Sequence, residues 1–200
     1  MKKPIYSLIA VLSLTVMFIP SAIAQDICPP SGPFHKCNSA YTYKNGDRYE
    51  GPYVEGERSG QGLYIWANGN RYEGDFVKDK RTGKGVFTYA NGNRYEGDFV
   101  DGKQTGKGVL TYVNGNRYEG GYVDGRLTGK GRFFWANGDR YEGEFLNNKR
   151  TGKGKYFWAN GDRYKGDFLE DKRTGKGTFT RANGKREKGK FIDGVLQSGK

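Results

Sequence analysis

The residues whose chemistry could support catalysis or metal binding are few, and they stand together near the start of the chain. His35 is the only histidine, and it lies between Cys28 and Cys37, the only two cysteines. These side chains could bind a metal ion, but three ligands on one short loop leave a tetrahedral site without its fourth. A single histidine also cannot activate serines spread along the chain. We therefore predict no catalytic residues, no metal site and no cofactor.

The tetrapeptide Thr-Gly-Lys-Gly has the look of a phosphate-binding loop. It lacks the longer Gly-x-x-x-x-Gly-Lys-Ser/Thr frame and the helix that must follow such a loop. We predict instead a turn that joins successive hairpins and places its lysines in register along one edge of the sheet. The tetrapeptide begins at Thr82, Thr105, Thr128, Thr151 and Thr174.

Residues 1–24 have the features of a bacterial secretory signal peptide. Lys2 and Lys3 precede an apolar run from Ile5 to Ile19, and Ala22-Ile23-Ala24 forms a small-x-small cleavage site. The alternative is an uncleaved anchor helix, but the apolar run is short for a bilayer span. We predict export to the periplasm or beyond the cell, and no transmembrane segment in the mature chain.

The two cysteines favour a disulfide in an exported protein. They are nine residues apart, and three prolines and a glycine lie between them. In an oxidising compartment this pattern is typical of one small disulfide loop. A Cys28–Cys37 bond would close the N-terminal segment, residues 25–40, and brace the adjoining end of the protein.

The rest of the chain, residues 41–200, repeats a unit of 23 residues. Asn-Gly recurs at this spacing seven times, beginning at Asn45 and ending at Asn183. A constant period without insertions indicates a stacked array in which each unit contacts its neighbours. The predicted repeats are residues 41–62, 63–85, 86–108, 109–131, 132–154, 155–177 and 178–200, with the last as a cap.

Each unit is predicted to form a β-hairpin. Two alternating runs flank the Asn-Gly, which is the strongest local hairpin signal. A loop of three residues, 90–92 in the third unit, puts the aromatic side chains on one face. Phe87 then lies opposite Tyr95, and Gly85 lies opposite Gly97. The predicted fold is all-β: one elongated, twisted antiparallel sheet of about seven tandem hairpins and about fourteen strands.

Aromatic residues recur in columns along this sheet. Stacking of hairpins would bury them as the core, because a single hairpin is only marginally stable. Part of each column could instead stay exposed as an aromatic groove that binds a ligand. The residues of this groove would be Tyr49, Trp66, Tyr72, Tyr95, Tyr118, Trp135, Tyr141, Trp158 and Tyr164.

The opposite face carries arginine and glutamate in alternation. In the first five repeats an Arg-Tyr-Glu sequence predicts a solvated face held by ion pairs. In the last two repeats the glutamate is replaced by Lys165 and Lys188. The arginines there lose the acidic neighbours that would pair with them.

The repeated sequence Tyr-Ala-Asn-Gly-Asn-Arg-Tyr-Glu-Gly-Asp-Phe resembles the MORN (membrane occupation and recognition nexus) repeat, whose core is Tyr-x-x-Gly-x-x-Tyr-x-Gly-x-Phe/Trp. The resemblance covers residues 41–200 and recurs in phase. It implies an elongated sheet of hairpins. It also implies binding to acidic phospholipids, or service as a protein scaffold.

The predicted function is non-enzymatic binding to an anionic surface. The formal net charge is +12, and the C-terminal half is the basic half. The partner would be an anionic lipid or an envelope polyanion; nucleic acid fits the charge but not the compartment. The alternative is a scaffold that binds a protein partner or forms a homodimer. The predicted anion-binding residues are Lys149, Arg150, Lys153, Arg163, Lys165, Lys172, Arg173, Lys176, Lys185, Arg186, Lys188 and Lys190.

Overall fold

The computed structural model describes residues 37–197, and within that range the protein is one antiparallel sheet of sixteen strands without a helix. Neighbouring strands follow chain order, except that the two-residue β3 pairs only with β2. The strands are β1 (Cys37–Thr42), β2 (Arg48–Val54), β3 (Glu57–Arg58), β4 (Gly60–Ile65), β5 (Arg71–Val77), β6 (Lys80–Thr88), β7 (Arg94–Val100), β8 (Lys103–Thr111), β9 (Arg117–Val123), β10 (Arg126–Phe134), β11 (Arg140–Leu146), β12 (Lys149–Phe157), β13 (Arg163–Leu169), β14 (Lys172–Thr180), β15 (Arg186–Ile192) and β16 (Val195–Leu196).

The predicted fold class is confirmed, with more strands than expected because β3 and β16 are short additions. The predicted signal peptide, Cys28 and His35 lie outside the described residues. The Cys28–Cys37 disulfide therefore stays a prediction.

The hairpin register agrees with the prediction. Gly85 pairs with Gly97 and Phe87 with Tyr95. The backbone N–H of Gly92 donates to the carbonyl of Tyr89 at 2.9 Å, which closes the three-residue loop. Gly92 has a φ of +87°, in the left-handed region that glycine enters without steric cost. The Asn-Gly sequence therefore selects both the loop and the face on which the aromatics lie.

The predicted role of Thr-Gly-Lys-Gly as the connecting turn is wrong. Residues 82–85 lie inside β6, and the turn before that strand is made by Lys78 and Asp79, with φ of +48° and +65°. Aspartate tolerates the left-handed region better than most residues, so the turn needs no glycine at these two positions.

Thr-Gly-Lys-Gly forms a β-bulge. Between β5 and β6 the register passes from Gly74–Gly85 directly to Asp75–Thr82, so residues 83 and 84 have no partner on β5. Gly83 has a φ of +58°, as a bulge in the left-handed region requires. The bulge resets the alternation, and Lys84 then lies opposite Asp98 on β7.

The core is a row of tyrosines packed over paired glycines. Tyr72 is fully buried. Its ring meets Phe76 and Phe99 edge-to-face, with centroids 5.2 and 4.9 Å away. Its hydroxyl donates to the carbonyl of Asp75 at 3.1 Å. The same packing recurs in every repeat from Tyr49 to Tyr164, so the two aromatic columns that begin at Tyr49 and Tyr53 form the core.

Successive hairpin loops are also linked by side chains. Asp47 accepts hydrogen bonds from the Ala67 backbone N–H at 2.8 Å and from the Tyr64 hydroxyl at 2.7 Å. These two donors hold the pKa of Asp47 below its ordinary value. An asparagine replaces the aspartate in the next repeat, where Asn70 accepts from the Ala90 N–H at 2.8 Å. The residue after each Asn-Gly thus joins one loop to the next.

Candidate functional site

A continuous groove runs along the face opposite the aromatics. Along each strand the core tyrosine and the following glycine share the aromatic face, so the residues on either side of the glycine project from the other face. The glycines of adjacent strands are paired, as in Gly154–Gly166 and Gly166–Gly177. Their backbone makes the floor of the groove, and the flanking side chains make its walls.

The groove has three segments that share lining residues and have similar volumes of about 820, 860 and 880 Å³ from the N-terminal to the C-terminal end. The N-terminal segment balances its charges. Its basic residues are Lys84, Lys107 and Arg117, and its acidic residues are Glu73, Glu96 and Glu119.

The C-terminal segment is strongly basic, and we call it the lysine groove. Its single acidic lining residue is Glu142, which pairs with Arg140 at 3.4 Å. The floor is made by four glycines of β12 to β15. The lysine groove is lined by Lys153, Lys155, Lys165, Lys176, Lys188 and Lys190, all exposed.

Ion pairs on this face disappear toward the C-terminal end. In the first repeats each arginine contacts the glutamate two residues later, as in Arg94–Glu96 at 2.7 Å. Among residues 37–197, Arg163 and Arg186 make no ion pair. Of the groove lysines, only Lys153 is paired in this part of the chain, with Asp167. The predicted loss of pairing in the last two repeats is therefore present in the structure.

The sequence matches the family model of the MORN repeat over residues 49–71, 72–94, 95–117, 118–140, 141–163 and 164–186. The chain belongs to the MORN-repeat family.

No curated protein matches the chain in sequence. Among solved structures, it is similar to the TCP domain of Drosophila melanogaster SAS-4 in complex with a proline-rich motif of Ana2, at 16% identity and a TM-score of 0.46 over 74% of this chain and 81% of that one. A second similar structure is the TCP10c domain of Drosophila melanogaster Sas-4, at 13% identity and a TM-score of 0.43 over 74% of this chain and 89% of that one. A third is the TCP10 domain of Danio rerio CPAP in complex with a STIL peptide, at 14% identity and a TM-score of 0.31 over 76% of this chain and 82% of that one.

The MORN array brings five of the predicted anion-binding residues together in the lysine groove. These are Lys153, Lys165, Lys176, Lys188 and Lys190. Arg163 and Arg186 line a neighbouring cleft of about 410 Å³. Lys155 was missed by the sequence reasoning. The sequence did carry a signal for it, because Lys155 occupies the position at which the third and fourth hairpins have Val86 and Val109.

Three other predicted lysines lie away from the groove. Lys149 pairs with Glu170 across successive turns, and Lys172 pairs with Asp193 at 2.9 Å in the same way. Lys185, in a hairpin loop, is 3.9 Å from Glu187. All three side chains are partly neutralised, and those of Lys149 and Lys172 join neighbouring repeats.

The prediction that Arg150 and Arg173 face an anionic ligand needs correction. Both side chains pack on the aromatic face. The Arg173 guanidinium lies 5.4–5.7 Å from four ring centroids and donates to the carbonyl of Gly194 at 2.6 Å. Burial lowers the pKa of Arg173. Arg150 is held by the same stacking and by Asp171 at 2.9 Å. The sequence could not distinguish these arginines from the adjacent lysines.

We expect Arg173→Ala to destabilise the array by about 1–2 kcal/mol, because it removes stacked apolar and cationic contacts. Arg173→Leu is expected to cost less, since Leu127 fills the equivalent position in an earlier repeat and is buried. Urea unfolding measures both changes. Neither variant is expected to alter binding to an anionic ligand, and a loss of binding in the folded Leu variant would contradict the assigned position.

The residues of the predicted aromatic groove differ in burial, because its tyrosines are buried and its tryptophans are only half-buried. Its six tyrosines are 0–1% exposed and cannot contact a ligand. Trp66, Trp135 and Trp158 are half-buried at the edge of the core.

A separate cavity of about 460 Å³ lies at the middle of the aromatic face. It opens where Gln104 and Leu127 stand in place of the stacked arginines, and Trp135 lines one side. The Tyr122 hydroxyl beside it is buried and has no hydrogen-bond partner among the described residues. The repeats are therefore not equivalent on this face.

Within residues 37–197 no cluster of histidine, cysteine, aspartate or glutamate could hold a metal ion. The same part of the chain contains no helix that is both long and apolar enough to cross a bilayer.

Proposed function

We propose that this MORN-repeat protein is a non-enzymatic binding module that attaches peripherally to anionic surfaces, either acidic phospholipid head groups or other envelope polyanions. The observation that carries the proposal is the set of groove lysines without acidic partners. A basic residue close to an anionic surface contributes about 1 kcal/mol, and salt weakens it. Lysines already paired, such as Lys172 with Asp193, contribute less.

The proposal includes export. Residues 1–24 act as the signal peptide, residues 25–40 form the disulfide-closed segment, and residues 41–200 form the binding array. The mature protein then resides in the periplasm or outside the cell, where anionic envelope components are its available partners.

We expect the protein to co-sediment with vesicles in proportion to their anionic lipid content, and to remain bound at physiological salt. The five groove lysines without an acidic partner among the described residues can together supply several kcal/mol before screening. Neutral vesicles are the control. Failure to pellet with anionic vesicles, or pelleting only at low salt, would reject attachment to lipid surfaces.

The alternative function is protein interaction, and the cavity beside Trp135 favours it. A side chain of a partner, or of a second copy, could fill the space left by Gln104 and Leu127. Sedimentation equilibrium over a range of concentrations tests the second copy. A dimer that dissociates on Trp135→Ala, with the fold retained, would support this alternative, and a monomer at all concentrations would exclude the homodimer.

A further inference from the structure

The lysine groove contains like charges placed directly opposite one another. Lys155 pairs in register with Lys165, and Lys176 pairs with Lys190. Like charges at directly opposed positions of an antiparallel pair destabilise the sheet. These four lysines therefore do not add to the stability of the sheet.

Earlier repeats place opposite charges at the same positions. Arg132 faces Glu142 in β10 and β11, where the later repeat has Lys155 and Lys165. Lys84 faces Asp98, with an ion pair of 2.6 Å, where the later repeat has Lys176 and Lys190. The array can thus build this face with compensated charges. A local loss of compensation in a groove is typical of a binding site, where stability is given up for function.

The dimensions of the lysine groove limit what can enter it. The groove crosses β11 to β15, and four strand spacings of about 4.8 Å make it about 19 Å long. With a volume of about 880 Å³, its mean cross-section is about 46 Å². A cross-section of this size leaves room for one extended polymer chain. A nucleic acid duplex is too wide to enter the groove.

We propose that the lysine groove binds a single acidic polysaccharide chain, which lies along the sheet axis and crosses the strands. The lysines of the two walls pair with the acidic groups of successive sugars. The floor of paired glycine backbone, at Gly154, Gly166, Gly177 and Gly189, gives the sugar rings a flat surface. This inference rests on the proposed anionic binding and specifies its site and its ligand.

The test uses a fluorescent galacturonate oligomer long enough to span the groove, with fluorescence anisotropy as the readout. The full protein is expected to bind the oligomer at least about tenfold more tightly than free galacturonate, because several lysines act on one chain. A neutral oligosaccharide of the same length is expected not to bind. Equal affinity for monomer and oligomer would overturn the extended binding mode.

The decisive variant is Lys165→Glu combined with Lys190→Asp. It places carboxylates opposite Lys155 and Lys176, as in the earlier repeats. We expect the affinity for the oligomer to fall about tenfold or more. We also expect the melting temperature to rise by about 2 °C, because two repulsive pairs become attractive. A purely structural role for these lysines predicts the opposite change in stability.

The matched control is Lys84→Glu combined with Lys107→Glu, which makes the same change in net charge in the N-terminal segment. Here the affinity is expected to fall by less than about threefold, because these sites lie beyond the screening length from the lysine groove. Equal losses in both variants would show diffuse attraction to a basic protein and overturn the groove.

Two further probes separate the inference from the proposed function. The protein and the Lys165→Glu, Lys190→Asp variant could bind anionic vesicles equally well while neither binds the oligomer. That result would reject the lysine groove as the binding site and retain attachment to anionic surfaces. Preferential binding of inorganic polyphosphate, with no binding of the oligomer, would reject the polysaccharide. Binding to neither vesicles nor either polymer would reject both the groove and the proposed function.

Discussion

The protein is expected to unfold cooperatively as the pH rises from 10.0 to about 12. Burial raises the pKa of Tyr49, Tyr72 and Tyr118 from 10.0 to about 12. Below pH 10.0 both states keep these protons, and stability is complete. Above it the unfolded chain loses protons that the folded state retains, so stability falls until the pH reaches the folded pKa. Each pKa unit is worth about 1.4 kcal/mol per group, so three tyrosines remove an amount comparable with a typical total stability.

Circular dichroism and phenolate absorbance, recorded on the same titration, measure this transition. The two signals are expected to change together, because the core tyrosines ionise only when the sheet opens. Tyr118→Phe is the control. It removes one ionising group and the hydroxyl's bond to the Gly121 carbonyl, so we expect a cost of about 1 kcal/mol near neutral pH and a shallower alkaline decline. Full phenolate formation near pH 10.0 with an unchanged sheet signal would contradict the burial argument.

Gly85→Ala is expected to destabilise the array by about 3 kcal/mol. A Cβ at this position would lie 2.5–2.7 Å from atoms of the Tyr72 ring and hydroxyl. The ring cannot withdraw, because Phe76 and Phe99 hold it from two sides. The backbone at Gly85 is not in the left-handed region, so the whole cost comes from the clash. Urea unfolding followed by circular dichroism measures it.

A double-mutant cycle with Tyr72→Ala isolates that clash. Tyr72→Ala alone is expected to cost about 3–5 kcal/mol by leaving a cavity. In its presence Gly85→Ala should cost much less, because the ring that the new methyl group meets is gone. Val86→Ala, next to it on the groove wall, is the control and should cost less than about 1 kcal/mol. If the losses of unfolding free energy are additive in the double variant, a contact other than the Tyr72 ring causes the cost of Gly85→Ala.

The repeat sequence contains enough information to predict one face of the sheet. Asn91-Gly92 determines the loop, the loop determines the register, and the register places Phe87 against Tyr95. Each step depends on local backbone geometry, which single residues specify. At Thr-Gly-Lys-Gly, local backbone geometry does not determine the structure. A glycine in the left-handed region can form a turn or a bulge, and only the pairing of β5 with β6 decides between them.

The candidate binding surface was harder to predict from the sequence. Charge counting found the basic half of the protein, but it grouped Lys172 with Arg173, whose side chains have different environments. The bulge places Arg173 under four aromatic rings and leaves Lys172 at the turn. The groove itself depends on the pairing of glycines across strands, which no single repeat reveals. The cavity at Gln104 and Leu127 follows from comparing repeats at one position, although its meaning requires knowing that arginine fills that position elsewhere.

The paired glycines also separate the residues that maintain the fold from the residues that line the groove. Residues that maintain the sheet occupy the aromatic face, and residues that line the groove occupy alternate positions on the other. A wall residue can therefore change its charge without disturbing the packing beneath it, as the change from Glu142 to Lys165 one repeat later illustrates. The order of the repeats therefore determines the order of charges along the groove. Exchanging or multiplying whole units would move, lengthen or invert the charge pattern along the groove, while every hairpin keeps the same kind of packing against its neighbours.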